Sequence, residues 1–448
     1  MPTSSTHSQW SSRLTFILAA TGSAVGLGNI WKFPYITGEY GGGAFVIVYL
    51  CCIALLGIPM LMAEIMIGRT GGSSPTNSFK KLATADNLHK HWSAAGTFGV
   101  AAAFLVLTFY SVIGGWSIAY LGYSLQGIFT GKDIGGIDTI FNDLISSPVS
   151  VIGWHTLFML LAVSVVARGV NRGIEKTVTV LMPAMFVLLI ILVMYATTTP
   201  GFGESLAFLF SFDFSKLTAE GVLQALGHAF FTLSLGLGIM LAYGSYLGKD
   251  VSITRTAIIV SVLDTLVALL AGIVIFSVAF SNNLTPGAGP GLVFQTLPLA
   301  FGQMPAGHIL SIFFFFMLLF AAWSSAISIT EPCVSQLMQR FNISRTRSSV
   351  LIGVSAWLIG VLAALSFSVL SDVHIIGLSI FDFLDYITTN ILIPLGCMIT
   401  ALFCGWALPK EKSQKALGLS DKQHRLWIFI LRYITPVLIS IVFISNFI

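Results

Sequence analysis

Charge is what this sequence most lacks. Of its 448 residues, 9% are Asp, Glu, Lys or Arg, against about 25% in an ordinary soluble domain. A chain this poor in charge cannot cover a water-facing surface. Its net charge of +4 comes with no basic tail and no low-complexity stretch, which argues against a nucleic-acid partner. Cysteine is also scarce. Cys51, Cys52, Cys333, Cys397 and Cys404 all lie in apolar stretches, with neither loop-spaced disulfide pairs nor a metal-ligand pattern, so they read as inert thiols. The first apolar segment lacks a small-residue cleavage site before a soluble domain and reads as a retained helix. Asp264 and Glu64 have no zinc motif or activated nucleophile beside them, which argues against an enzyme.

Apolar residues are abundant: 56% of the chain is hydrophobic, in long runs from end to end. The expectation is an all-α polytopic membrane protein. Eleven spans are expected, near 13–37, 42–69, 95–126, 151–168, 174–198, 219–246, 253–281, 306–339, 348–370, 375–406 and 425–447. With the N-terminus inside, the outer segments hold only Lys132 and Lys216, and nearly all other Lys and Arg outside the spans fall on the inner side. The positive-inside bias therefore puts the N-terminus in the cytoplasm and the C-terminus outside.

Two spans are interrupted. The first contains SAVGLGN (Ser23–Asn29) and the sixth TLSLGLG (Thr232–Gly238). Each opens a set of five spans, and an odd number per set makes the two sets face opposite ways. The chain then reads as one domain, 1–448, with a first five-helix repeat at 10–200, an inverted second at 215–408 and an additional eleventh helix at 424–448. Glycine at one such place could merely allow close helix packing. Matching breaks in two halves, each beside hydroxyl or amide side chains, point instead to a binding site at mid-membrane. Unwinding frees N–H and C=O groups, each costing several kcal/mol in hydrocarbon unless re-paired. Anions satisfy free N–H groups and cations satisfy free carbonyls, so a zwitterion with companion sodium ions satisfies both. Asp264, in the apolar run IIVSVLDTLVALLAG, is a functional candidate by its depth; its bland alternative is a protonated structural acid.

The segments SRLTFILAATGSAVGLGNIWKFPYITGEYGGGAF and FFTLSLGLGIMLAYGSY resemble the signature segments of the neurotransmitter:sodium symporter family, and the likeness runs through RYITP at Arg432–Pro436. The resemblance implies a LeuT-type 5+5 inverted repeat with discontinuous helices 1 and 6, in a bacterial-like eleven-helix form. It implies a sodium-coupled symporter in the cytoplasmic membrane, a monomer or weak dimer, taking up a neutral amino acid by alternating access. It also implies two sodium ions. The first would be held by the Ala24 carbonyl, Asn29, Thr232 and Asp264 with the substrate carboxylate. The second would be held by the carbonyls of Gly22, Val25 and Ala321 with the hydroxyls of Ser324 and Ser325. Those two hydroxyls could otherwise bond back to their own helix. The second set offers neutral oxygens only, which suits a monovalent ion better than calcium. Many members carry Asn where Asp264 stands and bind chloride nearby with a serine. Here that serine position is Ala268, so Asp264 is expected to supply a fixed charge and make chloride unnecessary, or to carry a proton outward.

The family pattern places Tyr110 at the substrate carboxylate. It places Gly26 where amine carriers have an aspartate, so the substrate should bring its own carboxylate. The expected substrate site is Ser23, Ala24, Gly26, Leu27, Gly28, Val106, Tyr110, Phe231, Thr232, Ser234, Leu237, Ser325, Ala326 and Ile329. It contains no formal charge, so a charged substrate side chain would be desolvated without a partner. Neutral, hydrophobic or aromatic L-amino acids are expected, with glycine, taurine, GABA or proton coupling as alternatives, and a channel or sensor on the same scaffold as the rival of another class. Lys32 should form the outer gate with Asp382 or Asp385, three apart and on one helical face. Tyr110 and Phe231 should form a lid beneath it. Glu64 should brace an unwound segment. At the inner gate the family's salt-bridge positions are His7 and Gln339, so Trp10, Ser245, Tyr246 and Glu331 are expected to close it instead. Gly173 and Pro183 match a motif that lets the fifth helix unwind toward the second sodium; an ordinary proline kink is the alternative.

Overall fold

The computed structural model describes residues 9–284 and 291–445. Among them, nine continuous helices are long and apolar enough to cross a membrane. A tenth span is the bent pair Arg13–Ala24 and Gly28–Glu39, whose halves meet at 50°. The sixth span is a second broken pair, Ala219–Thr232 and Ile239–Ser245. The continuous spans, numbered with the broken ones in chain order, are span 2 (Gly43–Gly71), span 3 (Lys90–Leu125), span 4 (Pro148–Ala167), span 5 (Val170–Ala196), span 7 (Ile253–Ser281), span 8 (Gly307–Phe341), span 9 (Arg345–Leu365), span 10 (Ile380–Ala407) and span 11 (Asp421–Ser445).

Local chemistry sets the ends. Span 1 starts at a capping box, in which the Ser12 hydroxyl accepts from the Thr15 amide and the Thr15 hydroxyl accepts from the Ser12 amide. Thr218 caps the sixth span and Ser344 the ninth in the same way, each with a side-chain oxygen accepting a first-turn N–H. The observed edges differ from the expected ones by a few residues. The clearest difference is at 375–379, which is not helix. His374–Ile375 pairs with Leu378–Ser379 as a two-residue antiparallel hairpin. Ile376 and Gly377 both take positive φ at its turn, and Ser379 then caps span 10.

Span 8 is the axle of the bundle. It packs along span 3 and also touches spans 1, 4, 5, 6 and 9. Span 2 carries the second half of span 6, while span 7 lies against spans 1 and 5. The two breaks thus lie inside a sleeve of intact helices, where lipid cannot reach their open peptide groups. That is the condition on which irregular backbone survives at membrane depth.

Candidate functional site

Each break begins with a helix that its own residues stop. Val25 is extended (ψ 112°) and ends the first half of span 1. After it, Asn29 accepts the Gly26 amide on its side-chain oxygen at 3.0 Å. In span 6 the run after Thr232 takes φ of +54° at Ser234, +74° at Gly236 and +70° at Gly238. Glycine adopts this left-handed region without penalty, and serine is held there by its surroundings. The Ser234 hydroxyl donates to the Ser23 carbonyl at 2.9 Å, tying one break directly to the other. The Gly236 amide donates to Glu64 Oε1 at 2.7 Å, so span 2 braces the second break with a buried carboxyl.

Between the breaks lies a narrow cavity of about 30 Å³. Every residue expected at a substrate site lines it except Ala326, which is fully buried behind the wall. Tyr110 reaches in from span 3, and its hydroxyl accepts the Leu27 amide at 3.4 Å. Gly26 has no room for a side chain: a Cβ there would stand 2.6 Å from Ser325 Oγ and 3.0 Å from the Tyr110 hydroxyl oxygen. The Ser23 hydroxyl is buried with no partner.

Two oxygen clusters flank this cavity. In the first, the Asn29 amide group donates to Thr232 Oγ1 at 3.2 Å, to the Asp264 carbonyl at 3.1 Å and to Asp264 Oδ1 at 2.8 Å. Thr232 Oγ1 in turn donates to Asp264 Oδ2 at 3.0 Å. All three side chains are buried. These are hard oxygen donors with a carboxylate among them, a set that suits a hard cation. In the second cluster, Ser325 Oγ faces the carbonyls of Val25 at 3.0 Å, Gly22 at 3.3 Å and Ser23 at 3.5 Å. One hydroxyl proton cannot satisfy three carbonyls, so the surplus of acceptors also fits a cation. Ser324 Oγ bonds back to the Ala321 carbonyl of its own helix at 3.1 Å, while its Cβ lies against Gly22.

The two faces of the bundle differ. On the N-terminal side the site is sealed. The Trp10 indole donates to the Tyr243 carbonyl at 3.0 Å and its amide to the Tyr246 carbonyl at 3.1 Å. The Tyr246 hydroxyl donates to Glu331 at 2.6 Å, and Arg345 grips the same carboxylate with two bonds of 2.7 Å. Ser245 only bonds back to Ala242. Gln339 takes no part; its side-chain oxygen accepts from Ser73, Ser74 and Asn77 in the loop after span 2. His7 lies outside the described residues. Span 5 begins with a widened turn over Val170–Glu175 after Gly169 at φ +94°, and Pro183 lies inside it. Two turns past the widened turn, Met182 packs against Gly22.

On the opposite side a cavity of about 280 Å³ stands over the central one. Tyr110 and Phe231 line both, so those two rings form the partition. Lys32 and Asp385 border the upper cavity, but Lys32 lies 4.9 Å over the Phe231 ring instead of pairing with an acid. Asp382 is exposed; Ser379 caps its helix, accepting from the Asp382 amide at 3.1 Å and donating to the Asp382 carboxylate at 2.6 Å. Sequence reading missed Arg345, which looks like any basic residue after a span.

Two broken helices clasped at their breaks, with cation-type oxygen clusters beside a sealed hollow, define a sodium-coupled membrane transporter of the LeuT-type fold rather than an enzyme. Comparison with known proteins narrows this. The Sodium:neurotransmitter symporter family matches residues 7–133 and 142–448, and the chain belongs to it. It is 40% identical over 441 residues to the sodium-dependent transporter YhdH of Bacillus subtilis (strain 168), covering 98% of this chain and 97% of that one. It is 36% identical over 449 residues to a sodium-dependent transporter of Haemophilus influenzae, with 98% and 97% covered. The crystal structure of MhsT in complex with L-phenylalanine superposes with a TM-score of 0.90 at 46% identity, covering 98% and 99% of the two chains.

Proposed function

We propose that this symporter carries a neutral, hydrophobic or aromatic L-amino acid inward across the cytoplasmic membrane with two sodium ions. The observation that carries this reading is the chargeless cavity between the breaks, whose walls are Val106, Phe231, Leu237 and Ile329 with free backbone polarity at one end. MhsT was crystallised with L-phenylalanine, which supports the same class. The substrate carboxylate meets the Tyr110 hydroxyl, the Leu27 and Gly28 amides and the first sodium. The substrate ammonium meets the carbonyls of Ala24 and Phe231 and the Ser234 hydroxyl. The first sodium sits among Ala24 O, Asn29, Thr232 and Asp264, and the second among Gly22 O, Val25 O, Ala321 O, Ser324 and Ser325. Each sodium moving down the potential contributes ~2.3 kcal/mol per 100 mV.

The Trp10 side faces the cytoplasm, and the upper cavity is the outer vestibule. Substrate arrives there, and Tyr110 and Phe231 then close over it as Lys32 turns to Asp385. Lysine lacks the bidentate fork of arginine, so this outer latch is the weaker of the two. Because the Asp264 carboxylate is fixed beside the first sodium and Ala268 offers no donor to an anion, transport does not need chloride.

A thermal-shift and binding screen of the twenty amino acids, with taurine and GABA, in sodium against potassium tests this. Sodium-dependent stabilisation by leucine, methionine, phenylalanine or tryptophan is the expected result. Stabilisation by taurine or GABA alone would overturn the substrate class, and equal responses in potassium would overturn the coupling.

A further inference from the structure

The N-terminal strap ahead of span 1 is tied to the first turn of span 5. The Ser11 hydroxyl donates to Glu175 Oε1, and the Ser11 amide donates to Glu175 Oε2 at 3.3 Å. Asn171 Nδ2 donates to Glu175 Oε2 at 3.0 Å and to the Gln9 carbonyl at 2.7 Å. Glu175 is buried, and among the described residues no basic side chain pairs with it. Ser11 therefore supplies two of the three donors that keep this carboxyl out of water. The same turn is the widened one over Val170–Glu175, and Arg345 holds its other flank through the Val166 carbonyl at 3.2 Å. Met182, two turns further on, packs against Gly22 of the second oxygen cluster.

We propose that Glu175 is a positioning residue of the transport cycle: with Ser11 it forms a clasp that keeps the start of span 5 wound over the second sodium site until the strap leaves. When the strap swings away, the carboxyl loses two donors at once and must take water in their place. That hydration falls on the turn least able to resist it, between Gly169 at positive φ and Gly173. Opening of the first helix and loosening of the fifth become one event.

The inference rests on the reading of the Trp10 side as the inner one and of the Ser325 cluster as a sodium site. It is tested by hydrogen exchange with mass spectrometry on the full chain in lipid nanodiscs, in sodium and in potassium. In Ser11→Ala, segments 9–24 and 168–182 should exchange faster together, by about tenfold, while the outer hairpin segment 374–386 stays unchanged. Protection of both by sodium should need a higher concentration than in the wild type. Ser11→Thr, which keeps the hydroxyl, should restore wild-type behaviour. Faster exchange of 9–24 with 168–182 unaltered would overturn the clasp, as would a Ser11→Ala protein that exchanges like wild type. If Ser11→Ala does not fold, Asn171→Ala removes the second tie and is judged by the same pattern. Should wild-type exchange ignore sodium, the cation assignment fails, while the potassium comparison of Ser11→Ala with wild type still reads the clasp.

Discussion

Single residues decide what this site can hold. At Gly26 the missing side chain is the feature: a methyl group there would press on Ser325 and Tyr110 at once. Overpacking of that kind costs about 1–3 kcal/mol, so Gly26→Ala should weaken amino-acid binding about 10- to 100-fold, as read by isothermal titration in saturating sodium. Asp264 is the second such position. If its charge replaces an anion, wild-type uptake should be the same in chloride and in gluconate. Asp264→Asn should lose sodium-dependent uptake in both, since Ala268 cannot recruit chloride in compensation. Rescue of the variant by chloride would show that the anion site persists without its serine. Both residues were legible in the sequence, one by its smallness inside a motif and one by its depth in an apolar run. Glu175 was not. Its role comes from a partner 164 positions away along the chain, Ser11, and spacing within one helix cannot report that.

At the scale of elements, the breaks were legible because they need glycine at particular places. Gly236 shows how strict the need is. Its φ is +74°, and a Cβ would stand 2.7 Å from the Ile393 carbonyl oxygen and 2.9 Å from Cys397 Sγ. Gly236→Ala therefore meets both backbone strain and a clash with span 10, each worth about 1–3 kcal/mol. A fall in melting temperature, with sodium no longer stabilising the protein, is expected in a thermal-shift assay. The hairpin before span 10 was not legible. Ile376 and Gly377 sit in a run apolar enough to extend a helix, and only the pairing of His374 with Ser379 stops it. Ser245 was expected at the inner seal and proves to bond only within its own helix. A short hydroxyl finds its helix carbonyl before it finds a neighbour.

Across the whole molecule, the two ends of the pathway are closed by different means. On the Trp10 side the closure is an ion pair of buried Glu331 with half-buried Arg345, joined by Tyr246 and plugged by Trp10. Removing the carboxylate strands Arg345, which is half-buried, so the cost falls below the ~3–5 kcal/mol of a fully buried pair. Glu331→Gln should therefore shift the resting population toward the inward-open form. Cysteines introduced along the inner path would then label faster with a membrane-impermeant thiol reagent applied from the cytoplasmic face. Unchanged labelling would remove the pair from the gate. Cys333, Cys397 and Cys404 are buried, whereas Cys51 is exposed and Cys52 half-buried, so the labelling is done in a Cys51→Ser, Cys52→Ser background.

The partition between the upper cavity and the central hollow is a local one, the Tyr110 and Phe231 rings with Leu27 and Gly28. Groups of that kind yield by side-chain rotation, without movement of whole helices. The opposite closure joins the N-terminal strap to spans 5, 6, 8 and 9 and can yield only by collective movement, on the scale of microseconds to milliseconds. Turnover, read as uptake rate in variants of each closure, should therefore answer to changes near Trp10 far more than to changes near Phe231.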